Sequence, residues 1–124
     1  MNCNKMNKTT RRKRNIVPIR IIKHFKTVAT QKRGLMFKKT ALGKNCGAWF
    51  PIHAGGVWMK NTRIPLDAII IDKNNRVLET IKNMSPMSQK VHYLKSKKSA
   101  GLIETDAGFV DENDIRKGTK LIMN

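Results

Sequence analysis

The chain has 124 residues, 26 of them Lys or Arg and 8 Asp or Glu, so its formal net charge is +18. This length suits one domain with its own core and argues against enzyme folds that need roughly 200 residues. Hydrophobic residues make up 40% of the chain, too many for a wholly disordered basic tail. We therefore expect a single small domain with an unusual positive charge.

The positive charge is concentrated in the first half of the chain. Asp67 is the first acidic residue, so residues 1–66 contain 16 Lys or Arg and no acid. Residues 67–124 contain 10 Lys or Arg against 8 acids and are nearly neutral. Such an asymmetry between halves usually reports a partner or an address rather than a folding requirement.

The N-terminal segment is predicted to be a basic arm, residues 1–22, flexible or docked on a single domain formed by residues 23–124. Residues 1–14 contain too few apolar side chains to pack a core. The stretch Ile16–Ile22 is apolar and β-branched around Pro18. Because proline cannot donate a backbone hydrogen bond, this stretch suits an edge strand or a docked segment.

Short strands dominate the predicted elements that follow. Lys23–Ala29 alternates as a strand does, and Thr30 is placed to cap a short helix through Gln31–Met36. Two further short strands are expected, at Ala48–Ile52 and Val57–Met59.

The clearest predicted element is a β-hairpin. Pro65–Asp72 is rich in β-branched residues, Lys73–Asn75 has turn chemistry, and Arg76–Lys82 alternates polar with apolar residues. Later elements are a polar loop, a strand, one or two helical turns and a closing strand, at Asn83–Ser99, Ala100–Glu104, Asp111–Lys117 and Thr119–Met123. We predict a mainly β (α+β) fold, a compact β-sandwich or partly closed barrel of short strands with one or two short helices.

Targeting signals are weak. No stretch reaches the roughly 18–20 apolar residues of a membrane span, and no apolar segment follows the N-terminal charges. We expect a non-secreted protein of the cytoplasm, the nucleus or a virion, with a mitochondrial presequence as an open alternative. Two cysteines and three histidines show no metal-binding spacing, so no metal or cofactor is expected.

Two sequence runs are specific enough to indicate a family. They are Gln-Lys-Arg-Gly-Leu-Met-Phe at 31–37 and Val-Trp-Met-Lys-Asn-Thr-Arg-Ile-Pro-Leu-Asp at 57–67. Their order and spacing resemble the domain-of-unknown-function 192 family over residues 24–123. The matching motif positions are Arg33, Gly34, Leu35, Met36, Trp58, Met59, Lys60, Asn61, Thr62, Pro65, Leu66 and Asp67. The resemblance implies a small β-rich domain with no established activity.

The second run could supply a catalytic site. Asp67 would be the general base and Lys60 a cation, with His53 or Glu104 as a second titrating group. Because these groups have no evident set of partners, we treat all four as weak candidates and lean away from an enzyme.

A structural interpretation of the two runs is simpler, and we favour it. Trp58 and Met59 would pack in the core, and Asp67 would pair with Lys60 or Arg63. Asn61 and Thr62 would satisfy backbone groups in a turn. In the first run, residues 35–37 would belong to the core, with Gly34 allowing a close approach or a positive φ.

Three classes of function stay open. The first is a module that binds a polyanion, most plausibly nucleic acid without sequence specificity. Its expected contact residues are Lys5, Lys8, Arg11, Arg12, Lys13, Arg14, Arg20 and Lys23. The second is a small enzyme or ligand-binding domain that uses the 58–67 motif. The third is a structural or assembly protein whose arm docks on an acidic protein or capsid partner.

Codon bias bears on the first class. Lys, Asn and Ile together make up about a third of the chain, and all three have A/T-rich codons. This composition fits an AT-rich genome, for instance that of a bacterium, a protist or a large DNA virus, and such a bias by itself raises the Lys content. It does not explain the absence of every acid from residues 1–66. A viral source would make a protein associated with a virion or its genome one version of the polyanion hypothesis.

Overall fold

A computed structural model describes residues 15–51 and 55–124. This part of the chain forms a mainly β domain with two short helices. In chain order the elements are β1 (Ile16–His24), α1 (Val28–Arg33), β2 (Cys46–Pro51), β3 (Gly56–Val57), β4 (Leu66–Ile71), β5 (Val77–Met84), β6 (His92–Tyr93), β7 (Gly101–Asp106), α2 (Phe109–Glu112) and β8 (Lys120–Met123). Within these residues, no helix is long and apolar enough to cross a membrane.

Six strands form one curled sheet in the order β5-β4-β7-β2-β1-β8. β1 runs parallel to both of its neighbours, and the other pairs are antiparallel. The two edges of the sheet approach each other where Arg76 bridges Lys120 and the Val77 N–H donates to the Thr119 carbonyl at 2.8 Å. The sheet is therefore a half-barrel, which confirms the predicted fold class. β3 and β6 form a separate two-stranded ladder.

Both faces of the sheet are covered. All six residues of β4 are buried, because alternate side chains enter two different hydrophobic clusters. Ala68 and Ile70 belong to the cluster that includes Leu35 near α1. Ile69 belongs to the cluster that includes Phe109 of α2. Cover on two sides thus explains why β4 is almost continuously apolar.

The predicted hairpin is confirmed as β4 and β5. Its turn is held by the Asp72 side chain, whose Oδ1 accepts hydrogen bonds from the backbone N–H groups of Asn74 at 2.8 Å and Arg76 at 3.0 Å. Asn75 takes a positive φ of 61° in this turn, a conformation that asparagine tolerates better than most residues.

The predicted edge position of Ile16–Ile22 is wrong, because β1 lies between β2 and β8. The predicted boundary at Lys23 falls inside this strand. Pro18 is tolerated because β1 is paired on one side only at that point: Pro18 lies opposite Ile122 of β8, whereas pairing with β2 starts at Arg20. The N–H of Arg20 donates to Asn45 before β2 and that of Ile21 to Asn124 after β8, so by alternation the nitrogen of Pro18 faces the β2 side, where no ladder bond is lost.

The predicted strand Lys23–Ala29 is also wrong, because β1 ends at His24 and α1 begins at Val28. Thr27 is the N-cap: its Oγ1 accepts from the Thr30 N–H at 3.1 Å, and the Thr30 Oγ1 accepts from the Thr27 N–H at 3.0 Å. This reciprocal capping box starts the helix three residues earlier than predicted. Thr30 is the third helical residue rather than the cap.

Candidate functional site

Residues from both motif runs border one cavity of about 510 Å³. We call its buried lining residues the cavity floor: Leu35, Phe50, Val57, Thr62, Leu102 and Glu104. We call its exposed lining residues the cavity mouth: Val28, Lys32, Arg33 and Trp58. The remaining lining residues are half-buried, at positions 31, 34, 36 and 56.

α1 is fixed beside the cavity by one side chain and one glycine. Gln31 Nε2 donates to the backbone carbonyl of Phe25 at 2.9 Å and to that of Pro51 at 2.6 Å. Gly34 ends the helix with φ 47° and ψ −127°, and a Cβ there would lie 3.3 Å from the Phe50 ring. The predicted need for glycine at this position is confirmed on both counts, backbone conformation and close approach.

Glu104 is the buried titratable group of the cavity floor. It sits on β7 between Ala48 of β2 and Ala68 of β4, and both alanines are fully buried. Small neighbours on both strands leave room for a glutamate side chain on this face of the sheet. The residue is only 6% exposed.

Burial raises the pKa of Glu104 from 4.5 to about 8, because an ionised carboxylate loses its hydration there. The side chain forms no hydrogen bond or ion pair with residues 15–51 or 55–124. At neutral pH the group is therefore mostly a protonated acid, which can both donate and accept a hydrogen bond.

The cavity mouth is aromatic and cationic. Trp58 is 43% exposed, so the expectation that it packs in the core is wrong, whereas the same expectation for Met59 is confirmed. Alternation along the extended chain explains the difference, since Val57 and Met59 point inward and Trp58 points outward. The Lys60 ammonium lies 5.1 Å from the centre of the Trp58 ring, a cation–π geometry.

Asp67 does not belong to the cavity. Its Oδ1 accepts from the Asn83 N–H at 2.8 Å, and its Oδ2 accepts from the N–H groups of Gly108 at 3.1 Å and Val110 at 3.0 Å. The expected pairing with Lys60 or Arg63 is wrong, because β4 directs this side chain toward the start of α2. These bonds also explain why α2 begins at Phe109 rather than at the predicted Asp111.

The turn at Asn61 and Thr62 has the structural role expected of it. Thr62 Oγ1 donates to the Lys60 carbonyl at 3.2 Å, and Asn61 takes a positive φ of 55°. The carbonyls of Asn61 and Thr62 accept from the backbone N–H groups of Phe37 and Met87, both at 2.8 Å. Phe37 itself is exposed, contrary to the expectation for residues 35–37, whereas Leu35 is buried as expected.

The structure thus brings together Glu104 and the first motif run, with Trp58 and Thr62 from the second. It separates Asp67 from them. His53 and the cations at 5, 8 and 11–14 lie outside the described residues, and Arg20 and Lys23 are exposed on β1. In the described ranges, no group of three or more His, Cys, Asp or Glu is arranged to hold a metal ion. Glu104 was expected as a second titrating group beside Asp67, and the structure places it in the cavity without Asp67.

Comparison with known proteins supports the fold. No curated protein matches the sequence significantly. The crystal structure of a protein of unknown function from Novosphingobium aromaticivorans DSM 12444 is 29% identical, with a TM-score of 0.72 over 78% of this chain and 70% of that chain. That of a proposed transcription regulator from Sinorhizobium meliloti 1021 is 24% identical, with a TM-score of 0.68 over 77% and 74%, and shows likeness of fold alone.

The comparison with protein families covers nearly the whole sequence. The pattern of the family described as "Uncharacterized ACR" (DUF192) matches residues 8–123. The two motif runs, the hairpin and the half-barrel all lie within this range. The chain therefore belongs to the DUF192 family.

Proposed function

We propose that this protein is a ligand-binding domain whose cavity holds a small amphipathic molecule. The observation that carries the proposal is the Glu104 carboxyl, which is buried, faces a cavity and has no hydrogen-bonding partner among the described residues. The carboxyl oxygens are reachable from the cavity, because no fully buried side-chain oxygen or nitrogen among the described residues lacks a partner. Polar groups inside native proteins are nearly always paired, and here the cavity leaves the pairing of the carboxyl to a bound molecule.

Two further observations support a ligand site. The cavity volume of about 510 Å³ falls in the range of roughly 300–1,000 Å³ that is usual for small-molecule pockets. A strongly shifted pKa is typical of functional sites, and the shift of Glu104 comes from burial in this cavity.

Binding without turnover is the better supported form of this proposal. The described lining contains no histidine, no cysteine and no second carboxyl beside Glu104. General acid–base catalysis usually needs a second titrating group within reach of the same reacting atoms. Asp67, the other carboxylate of the motif hypothesis, is occupied by three backbone donors on a different side of the sheet.

Protein NMR with an apolar anion tests the proposal. We expect 8-anilinonaphthalene-1-sulfonate to shift the backbone amide signals of Gly34, Val57 and Leu102 and the indole N–H of Trp58. Met36→Trp should fill part of the cavity and abolish these shifts, whereas Ile122→Trp, a matched change on β8, should preserve them. Shifts that map elsewhere on the wild-type chain would overturn the proposal without recourse to any variant.

Attachment to a polyanion is our second proposal, and the distribution of acids over the surface favours it. Of the twenty Lys and Arg among the described residues, eighteen are exposed. Only three of the eight acids are exposed, all within Asp111–Asp114. The other acids are withdrawn from the surface, partly because their carboxylates accept backbone hydrogen bonds. Most of the described surface therefore presents cations without compensating anions.

Salt dependence tests this second proposal. We expect the affinity for random double-stranded DNA to fall by orders of magnitude between about 50 and 200 mM salt. Replacing the four cations at 11–14 with Gln in the full chain should weaken binding and lower the salt slope by about 3 to 4. The matched control replaces the four exposed lysines Lys90, Lys95, Lys97 and Lys98 with Gln and should change binding less. Absent or salt-independent binding to DNA would contradict the polyanion proposal.

A further inference from the structure

We infer that the ligand of the cavity is a zwitterion with an apolar spacer, whose ammonium or guanidinium group pairs with Glu104 and whose carboxylate pairs with Lys32 and Arg33. This inference rests on the proposed ligand-binding function and names the class of molecule bound. It follows from the order of chemistries along the cavity: an acid in the floor, apolar walls beside it and cations at the mouth.

The floor selects the cationic end. Leu35, Phe50 and Leu102 surround the site with apolar surface, and no described residue offers Glu104 a partner. A charge in such surroundings is stable only when it is paired, and a ligand ammonium provides the missing opposite charge. An uncharged ligand would leave the carboxyl as a weaker neutral donor.

Binding of a cation is coupled to a proton. The free carboxyl, with a pKa of about 8, holds its proton at neutral pH. When the ligand ammonium binds, the acid gives that proton to water and the bound pair is carboxylate with ammonium. The ligand keeps its own proton. At pH 7 the exchange therefore releases up to one proton for each molecule bound.

The mouth selects the anionic end. Lys32 and Arg33 lie in the last turn of α1, are exposed and line the cavity. They repel the distal part of a simple diamine and attract a carboxylate, and Arg33 can hold both oxygens of one carboxylate. The exposed Trp58 offers an aromatic face for the spacer between the two charged ends.

Calorimetry with three matched probes tests the inference on the full chain. At pH 7 we expect 6-aminohexanoate to bind at least about tenfold more tightly than hexanoate, which lacks the ammonium, or hexylamine, which lacks the carboxylate. Spacer length should matter as well. From 4-aminobutanoate to 6-aminohexanoate the affinity should rise about fourfold per methylene, as expected for burial of CH₂ groups.

Two variants assign the two ends. Glu104→Gln should lower the affinity for 6-aminohexanoate to that for hexanoate and abolish proton release, measured in buffers of different ionisation enthalpy. The double change Lys32→Gln and Arg33→Gln should lower the affinity for 6-aminohexanoate to the affinity for hexylamine, and proton release should continue. The matched control, Arg116→Gln with Lys117→Gln after α2, removes the same charge outside the cavity lining and should leave binding unchanged.

The possible outcomes separate the inference from the proposed function. Equal binding of the three probes, or 6-aminohexanoate binding that survives Glu104→Gln, would overturn the inference. If none of the ω-amino acids binds while the naphthalene sulfonate still shifts the cavity signals, the inference fails and the ligand-binding function stands. If neither kind of probe reaches the cavity, both fail.

Discussion

Asp67 and Glu104 are buried carboxyl groups on neighbouring strands with opposite surroundings. In the pairing of β4 with β7, Asp67 lies opposite Thr105, and Ala68 lies opposite Glu104. The two acids are therefore offset by one residue in the register of the two strands. Because side chains alternate along a strand, they point to opposite faces of the sheet. Asp67 meets the backbone of β5 and of the segment that starts α2, whereas Glu104 meets the cavity.

The difference shows that burial alone does not tell what a carboxylate does. Asp67 is stabilised by three backbone donors that the fold supplies, so its charge holds α2 and β5 to the sheet. Glu104 has no such donors among the described residues, so it opposes folding when ionised and is available to a ligand. The acid with a structural role lies in the 57–67 run, and the acid that faces the cavity lies on β7.

The largest expected effect is loss of stability in Asp67→Asn. The amide keeps the shape of the side chain but turns an N–H₂ group toward backbone N–H donors, so at least one buried donor loses its acceptor. We expect the free energy of unfolding to fall by about 4 kcal/mol. Urea denaturation at pH 7 measures it, with Glu104→Gln as the isosteric control at the other buried acid. A loss below about 1 kcal/mol would contradict the anchoring role.

The second largest effect is the pH dependence that Glu104 gives to the free energy of unfolding. Its pKa is raised in the folded state, so the folded protein holds a proton that the unfolded chain has already lost between pH 4.5 and pH 8. Stability falls with rising pH across this window, by about 1 kcal/mol per pH unit, and levels off above it. Glu104→Gln should remove this slope. The free energy of unfolding of the variant, relative to that of the wild type, should therefore rise by about 3 kcal/mol between pH 5 and pH 8.

Paired denaturation curves of wild type and Glu104→Gln at several pH values measure that gain. Taking the difference cancels the titration of the other acids, which both chains share. A gap that stays constant with pH would show that the folded state does not hold the Glu104 proton, and the contrast with Asp67 would disappear.

Asp106 offers an intermediate case. Its two oxygens accept from the backbone N–H groups of Leu42 at 2.8 Å and Gly43 at 3.0 Å, but the residue is only half-buried. In Asp106→Asn, water can replace part of the lost hydrogen bonding to these N–H groups. We therefore expect the free energy of unfolding to fall by about 1 to 2 kcal/mol. A loss as large as that of Asp67→Asn would mean that the number of bonds, rather than their burial, sets the cost.

The smallest expected effect is at the cavity mouth. Lys60→Met removes the ammonium above the Trp58 ring, an exposed contact worth about 0.5 to 1 kcal/mol at most. Urea denaturation beside Lys90→Met, which removes an exposed ammonium with no ring contact among the described residues, gives the comparison. A loss well above 1 kcal/mol would show that the mouth contributes to folding as the Asp67 region does.

Part of the candidate site could be predicted from the sequence. The Gly34 requirement, the burial of Met59 and the turn at Asn61 and Thr62 follow from local chemistry, and the structure confirms them. The partner of Asp67 and the exposure of Trp58 could not be predicted in the same way. They depend on which residue of a distant strand or helix lies opposite, and local pattern contains no such information.

Motif spacing, period-two alternation and turn residues are local properties, so the family, the mainly β class, the β4–β5 hairpin and the uneven charge could be predicted without coordinates. Tertiary structure decided that β1 is an interior strand, that α1 covers the cavity and that Ala48 and Ala68 make room for Glu104. Register is the quantity that decides this: a shift of one residue between β4 and β7 would place Asp67 and Glu104 on the same face of the sheet. Long-range pairing fixes that register.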